Sequence, residues 1–331
     1  MRAVTVVEGG RLEIAYRDEP VPAPDEVLVR THGAGINRAD ILQRAGRYPA
    51  PPGVPADIPG LEFAGVVEGV GAEVDGVRHG DTVFGVVGGG AQAEYLTTKA
   101  AHCAHVPPAL DLVAMGGVPE AFVTAHDALV TLAHLAPREW VLIHAVGSGV
   151  GTAALQLAKA LAARVVGTAR TDDKLERCRG LGLDSAIMPP LRDDGSLDVD
   201  ALAWQVLEET DGGADVTLEL VGGSYVEADV TAAARLGRIV LIGTLAGVHA
   251  GLQVHIAMAK RLSIVGTVLR TRDAAEKAAA TRAFEADVVP LLEREVVVPI
   301  VDSIIPLEDA SKAYDLVASD TTFGKVILDC R

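Results

Sequence analysis

The chain has 331 residues, with 29 basic and 45 acidic side chains and a formal net charge of −16. That is enough chain for two domains with cores of their own, and the acid excess argues against nucleic acid as a partner, since neutralising phosphates needs a basic face. Cys103, Cys178 and Cys330 are too few and too scattered for a disulfide framework or a metal spacing, and no apolar run is long enough to span a bilayer.

In chain order, Met1-Arg2 leads straight into the strand-like run Ala3–Val7, so no signal peptide is expected and the protein should be cytoplasmic. Residues 1–118 read as short strands with turn residues between them, for example Glu26–Arg30 and Phe63–Val70. Pro49–Pro59 is proline-dense and is expected to be an extended loop, because proline lacks a donor and restricts its neighbours.

From 119 to 267 strands and helices alternate. The centre of this region is Trp140–Thr171. A short branched run, Trp140–Ala145, reads as a buried parallel strand, followed by the turn Val146-Gly147-Ser148-Gly149-Val150-Gly151. Val150, Ala154, Leu157, Ala158 and Leu161 then recur at helical spacing, and Arg164–Ala169 is a second strand. A helix N-terminus presents free N–H groups and a positive dipole end, and glycines let the backbone approach closely. A strand, such a turn, a helix and a strand together therefore predict a pyrophosphate site.

About twenty residues past the glycines, where an acid would hold a ribose 2′-OH, stand Arg170, Thr171 and Lys174. A guanidinium, a hydroxyl and an ammonium suit a 2′-phosphate, so NADPH is expected over NADH. Thr171 can equally cap the next helix, with Asp172 and Asp173 favouring its dipole. Later strands at Val216–Val221, Arg238–Gly243 and Leu262–Gly266 complete a doubly wound parallel sheet of the α/β class. A helix over Arg272–Glu293 and strands near Ile304 and Val326–Leu328 return the chain to the first domain. The domains are thus 1–118 with 268–331, and 119–267.

Several stretches carry a family resemblance: Gly35–Arg44, Pro59–Val67, Ser148–Gly151, Gly222–Tyr225 and Phe323–Val326. On these the chain resembles the zinc-free quinone oxidoreductases of the medium-chain dehydrogenase/reductase superfamily, and looks most like the subgroup containing the tumour-suppressor-inducible animal quinone reductase. The resemblance implies a GroES-like β-barrel catalytic domain, a Rossmann domain with a cofactor cleft between the two, and homodimers joined through the sheet edge around Leu262–Val268. The family form of the glycine turn is A-x-x-G-x-x-G; here it reads Ala145, Ser148 and Gly151, with serine in the middle position.

Zinc-bearing relatives have Cys at the position of Asn37 and His at that of Leu61, so the resemblance implies no metal here. Asn37 and Tyr48 match positions near nicotinamide and substrate and are the expected catalytic residues. Cofactor contacts are expected from Thr124, Ser148, Gly149, Val150, Gly151, Arg170, Thr171, Lys174, Val221, Ile242, Gly243, Leu245, Leu269, Phe323, Gly324 and Lys325. Asp40 and Glu62 lie in the matching motifs and read as structural partners of a buried Arg or of backbone N–H groups. The scattered histidines, His144 among them, read as packed or surface residues.

A site with neither metal nor proton donor suits an acceptor that is already electrophilic. The expected reaction is therefore NADPH-dependent reduction of a quinone. The alternatives are reduction of activated C=C bonds in enals, enones or enoyl thioesters, and a non-catalytic NADPH-binding protein.

Overall fold

The computed structural model describes residues 1–331 and divides into two compact units, Met1–Thr124 with Leu269–Arg331, and Ala125–Val268. No helix is long and apolar enough to cross a membrane.

The first unit opens with β1 (Arg2–Val7) paired antiparallel to β2 (Arg11–Tyr16). Then come β3 (Glu26–Ile36), α1 (Arg38–Arg44), β4 (Glu62–Val70), β5 (Thr82–Val86), β6 (Tyr95–Lys99), β7 (Cys103–His105), α2 (Leu112–Met115) and α3 (Pro119–His126). The second unit runs β8 (Trp140–Ile143), α4 (Gly149–Ala160), β9 (Arg164–Thr168), α5 (Asp172–Arg179), β10 (Ser185–Ile187), α6 (Val199–Glu209), β11 (Ala214–Glu219), α7 (Tyr225–Ala232), β12 (Ala233–Leu241), α8 (Val254–Lys260) and β13 (Ser263–Gly266). The chain closes with α9 (Ala274–Asp287), α10 (Val289–Glu293), β14 (Val301–Pro306), α11 (Ala310–Ala318) and β15 (Lys325–Asp329), all within the first unit.

The 11-residue strand β3 organises the first unit. Its C-terminal part pairs with β15 and its N-terminal part with β6, while β4 runs along its other edge. Register shifts between Leu28 and Val29 and between Thr31 and Gly33 bend it, as bulges do at the corners of closed sheets. Glycine is required at Gly65, where a Cβ would stand 2.2 Å from Arg30 O on the neighbouring strand. The helix expected over Arg272–Glu293 is two helices, broken at Val288 where Pro290 follows.

The second unit is a six-stranded parallel sheet in the order β10-β9-β8-β11-β12-β13. The strand order reverses direction between β8 and β11, which opens the switch point where such sheets bind ligands. Val141, Leu142 and Ile143 of β8 are all buried, as a strand covered on both faces demands.

Candidate active site

The turn after β8 is built for close approach. Ala145 takes a left-handed φ of 47°, and Ser148 caps α4 by accepting the Gly151 N–H at 3.1 Å. A Cβ at Gly151 would stand 2.5 Å from Ala145 O and 2.7 Å from the Val146 Cα, so the helix can pack here only on a glycine. A hydroxyl that accepts from Gly151 still has its own proton to donate outward. Gly149 and Val150 occupy the first helical turn, where N–H groups lack intrahelical acceptors. These are the features a pyrophosphate needs.

Arg170 and Thr171 are exposed and Lys174 is partly buried, at the end of β9 and the start of α5. Thr171 caps α5 by accepting the Lys174 N–H at 3.4 Å, so its helix-capping role is present beside any ligand role. The positive charge of Arg170 is felt at Tyr225, whose ring packs edge-on against His144 at 4.9 Å.

Glu219, fully buried at the end of β11, fixes the strand tips that border the switch point. Its Oε1 accepts the N–H groups of Val221 and Gly222. Its carbonyl accepts those of Ile242 at 2.9 Å and Gly243 at 3.1 Å. Three of the residues read as cofactor contacts, Val221, Ile242 and Gly243, are thus held by one glutamate. Leu245, just beyond, is 53% exposed.

Beside Glu219, His144 Nε2 lies 2.8 Å from Asp229 Oδ1, and its Nδ1 lies 2.9 Å from Thr168 Oγ1. His144, Glu219 and Asp229 have no exposed surface. Burial pushes both carboxyls up and the imidazole down, the neutral forms being the cheaper ones to bury. His144 is therefore packed, as its sequence context suggests, but it is also hydrogen-bonded to an acid 85 residues away.

In the first unit, Asn37, Glu62 and Lys325 form one buried network. Lys325 Nζ lies 2.5 Å from Glu62 Oε1, 2.7 Å from Asn37 Oδ1 and 3.2 Å from Ile36 O. All three ammonium protons are spent inside this unit, which corrects the reading of the Lys325 side chain as a cofactor contact. Asn37 Nδ2 donates to Glu62 Oε1 at 2.8 Å, so both ends of the amide are engaged. Asp40 accepts the N–H groups of Asn37 at 2.8 Å and Gly60 at 3.1 Å, and burial lifts its carboxyl to about 6. Leu61 is buried at 2% exposure. An ammonium beside Asn37 Oδ1 and an apolar Leu61 make a poor donor set for a cation.

Tyr48 lies partly exposed beneath the Arg270 guanidinium, 4.7 Å from its ring centre. Arg270 is buried and donates to Gly88 O at 2.8 Å, Tyr48 O at 3.2 Å and Gln43 Oε1 at 2.6 Å. It therefore ties Tyr48 and the proline-rich loop to α1 and to the loop after β5. The sequence reads Leu269-Arg270 as a loop bordering the nicotinamide, but the role of this guanidinium as a tie between Tyr48, Gln43 and Gly88 is not legible there. Leu269 and Phe323 are buried at 7% and 3%, and Gly324 has a φ of 84°. Thr124 is partly buried on α3.

One turn before Thr124 on α3 is Glu120. Its N–H donates to Glu62 Oε2 at 2.9 Å. Desolvation, with the Glu62 and Asp40 carboxylates, pushes its carboxyl up to about 8 against the opposing charges of Lys325 and Arg270. An acid whose carboxyl is raised to about 8 thus lies beside the Asn37, Glu62 and Lys325 network, where the sequence led us to expect no proton donor. Its signal lay in Pro119-Glu120-Ala121-Phe122-Val123, a single acid in an otherwise apolar run.

Comparison with known proteins adds the family. Residues 149–285 match the model of the zinc-binding dehydrogenases, and residues 23–132 that of the alcohol dehydrogenase GroES-like domain. The quinone oxidoreductase of Lama guanicoe is 30% identical, the alignment covering 99% of this chain and 97% of the relative. A quinone oxidoreductase from Pseudomonas syringae pv. Tomato DC3000 superposes with a TM-score of 0.85 at 28% identity, over 99% of both chains. A mycobacterial protein solved in complex with NADPH superposes with a TM-score of 0.85 at 26% identity, again over 99% of both.

Proposed function

The chain belongs to the quinone oxidoreductases of the medium-chain dehydrogenase/reductase superfamily and is an oxidoreductase, and from that premise we propose that it reduces quinones with NADPH and without zinc. The observation that carries this reading is the capped, glycine-packed turn at Ser148–Gly151, followed at the tip of β9 by Arg170 where an NAD site would need an acid. When bound, the reduced nicotinamide supplies a hydride. The residues of this chain do the rest.

Ser148, Gly149, Val150 and Gly151 take the pyrophosphate on helix N–H groups. Arg170, Thr171 and Lys174 take the 2′-phosphate, and the mycobacterial relative solved with NADPH supports that preference. In the second unit the tips held by Glu219, namely Val221, Ile242 and Gly243, with Leu245, border the nicotinamide. Thr124, Leu269, Phe323 and Gly324 are the cofactor-contact candidates of the first unit. Tyr48, oriented by Arg270, lies along the acceptor ring, and the backbone around Asn37 borders it. With Lys325 beside Asn37 in place of a metal, an acceptor that delocalises incoming charge is favoured over a plain ketone.

The edge strand β13 and the exposed Val265 and Val268 favour a homodimer through that edge. Light scattering is expected to give twice the chain mass.

Steady-state oxidation of NADPH with ortho-quinones, para-quinones, enals and aliphatic ketones tests the reading. Quinones are expected to turn over fastest. Turnover of enals alone would reassign the chain to activated C=C bonds, and cofactor binding with no oxidation by any acceptor would make it a scaffold.

A further inference from the structure

We propose that the carboxyl of Glu120 is the proton donor that completes the reduction of the acceptor beside Tyr48. This rests on the reduction proposed above and goes beyond it, because it assigns the second proton. Converting a quinone to a hydroquinone takes two electrons and two protons. The hydride brings both electrons and one proton, and forms one bond to the acceptor. The second proton comes from Glu120: its carboxyl O–H bond breaks, an O–H bond forms on the reduced acceptor, and the carboxylate left behind is reprotonated by water. No further oxidant or reductant is needed.

The geometry selects Glu120 from among the acids of this unit. Asp40 is completely buried and holds two backbone N–H groups. Glu62 is completely buried and holds Lys325, Asn37 and the Glu120 N–H. Neither has a free path to a ligand. Tyr48 is partly exposed, but burial and the Glu120 charge raise its phenol further from neutrality. Glu120 differs from all three. It is partly exposed, and its carboxyl makes no hydrogen bond or ion pair with the protein.

The charged and titratable groups around it come from several elements. They are Glu62 on β4, Asp40 on α1, Lys325 on β15, Arg270 before α9, Lys277 on α9 and Tyr48 before the proline-rich loop. The two carboxylates favour the protonated acid and the three cations favour its anion, with desolvation tipping the balance to the acid. An acid poised near the working pH is the best general acid. The field of Lys325 and Arg270 then stabilises the carboxylate once the proton has left.

The test is Glu120→Gln, with Glu120→Asp beside it, in the full chain. Wild type is expected to lose kcat with a quinone as pH rises through about 8. Glu120→Gln should lose at least tenfold in kcat and that pH limb, with NADPH affinity unchanged, and Glu120→Asp should recover part of both. Difference infrared spectra of the free protein give a readout independent of turnover. A protonated-carboxyl band should fade through the same pH range in wild type and be missing from Glu120→Gln. Equal kcat and equal pH profiles in wild type and Glu120→Gln would overturn the donor while leaving the reductase intact. A wild type inert to every acceptor would remove the reductase reading, and the donor with it.

Discussion

The ammonium of Lys325 and the carboxylate of Glu62 lie 2.5 Å apart, at 6% and 0% side-chain exposure. Between β15 and β4 this pair joins strands 263 residues apart in sequence. Two charges taken from water gain little net stability when paired, but removing one leaves the other stranded. Lys325→Met should therefore cost about 3–5 kcal/mol in urea unfolding. The double variant Lys325→Met, Glu62→Gln should recover much of that. If the double variant is no better than the single, the pair is not what the lysine contributes.

The same pair marks where the sequence ceases to be legible. The turn at Ser148–Gly151 can be read because its logic is local: a cap, a glycine and a helix within a few residues. The alternation that predicts the parallel sheet is local too. Lys325 sits in a recognisable stretch, yet the destination of its ammonium depends on Asn37 and Glu62, which only the folded sheet brings near. His144 meets Asp229 across 85 residues for the same reason. Glu120 is an unremarked acid in the sequence, and its proton affinity is set by burial and by Glu62, Lys325, Asp40 and Arg270, which come from four other places in the first unit. Pro290 is the opposite case, because a break in the helix over Arg272–Glu293 is written in the chain itself.

Arg170 carries the cofactor preference. Replacing it with glutamate removes charge-assisted bonds to a 2′-phosphate and adds repulsion. Arg170→Glu should weaken NADPH by about 2 kcal/mol or more, roughly thirtyfold, and leave NADH nearly unchanged. Fluorescence titration with the two cofactors reads the ratio. Equal losses for both would remove Arg170 from the phosphate site.

Gly151 tests the turn. In Gly151→Ala the new methyl meets the Ala145 carbonyl oxygen at 2.5 Å and the Val146 Cα at 2.7 Å, both of them backbone. Backbone cannot swing aside as a flexible side chain can, so α4 must lift from β8. A destabilisation of about 1–3 kcal/mol is expected, together with loss of affinity for both NADPH and NADH. Normal affinity in a folded Gly151→Ala protein would mean that the pyrophosphate does not sit on this turn.

Asp229 and Glu219 give the second unit a pH dependence with a definite sign. Burial raises both carboxyls above their ordinary values, so between about pH 4 and the raised values the native state binds more protons than the unfolded chain. Their contribution is complete below about pH 4 and declines as pH rises through the folded values. His144 works the other way. Its depressed value means that stability rises with pH through about 6.5, as the unfolded chain gives up its protons. Asp229→Asn removes one falling limb while keeping an oxygen to accept from His144 at the position of Oδ1. Urea midpoints at pH 5 and pH 8 should therefore diverge. Wild type should lose more stability across that interval than Asp229→Asn, by about 1–2 kcal/mol. Parallel behaviour of the two proteins would mean that Asp229 is ionised throughout, held so by a protonated His144.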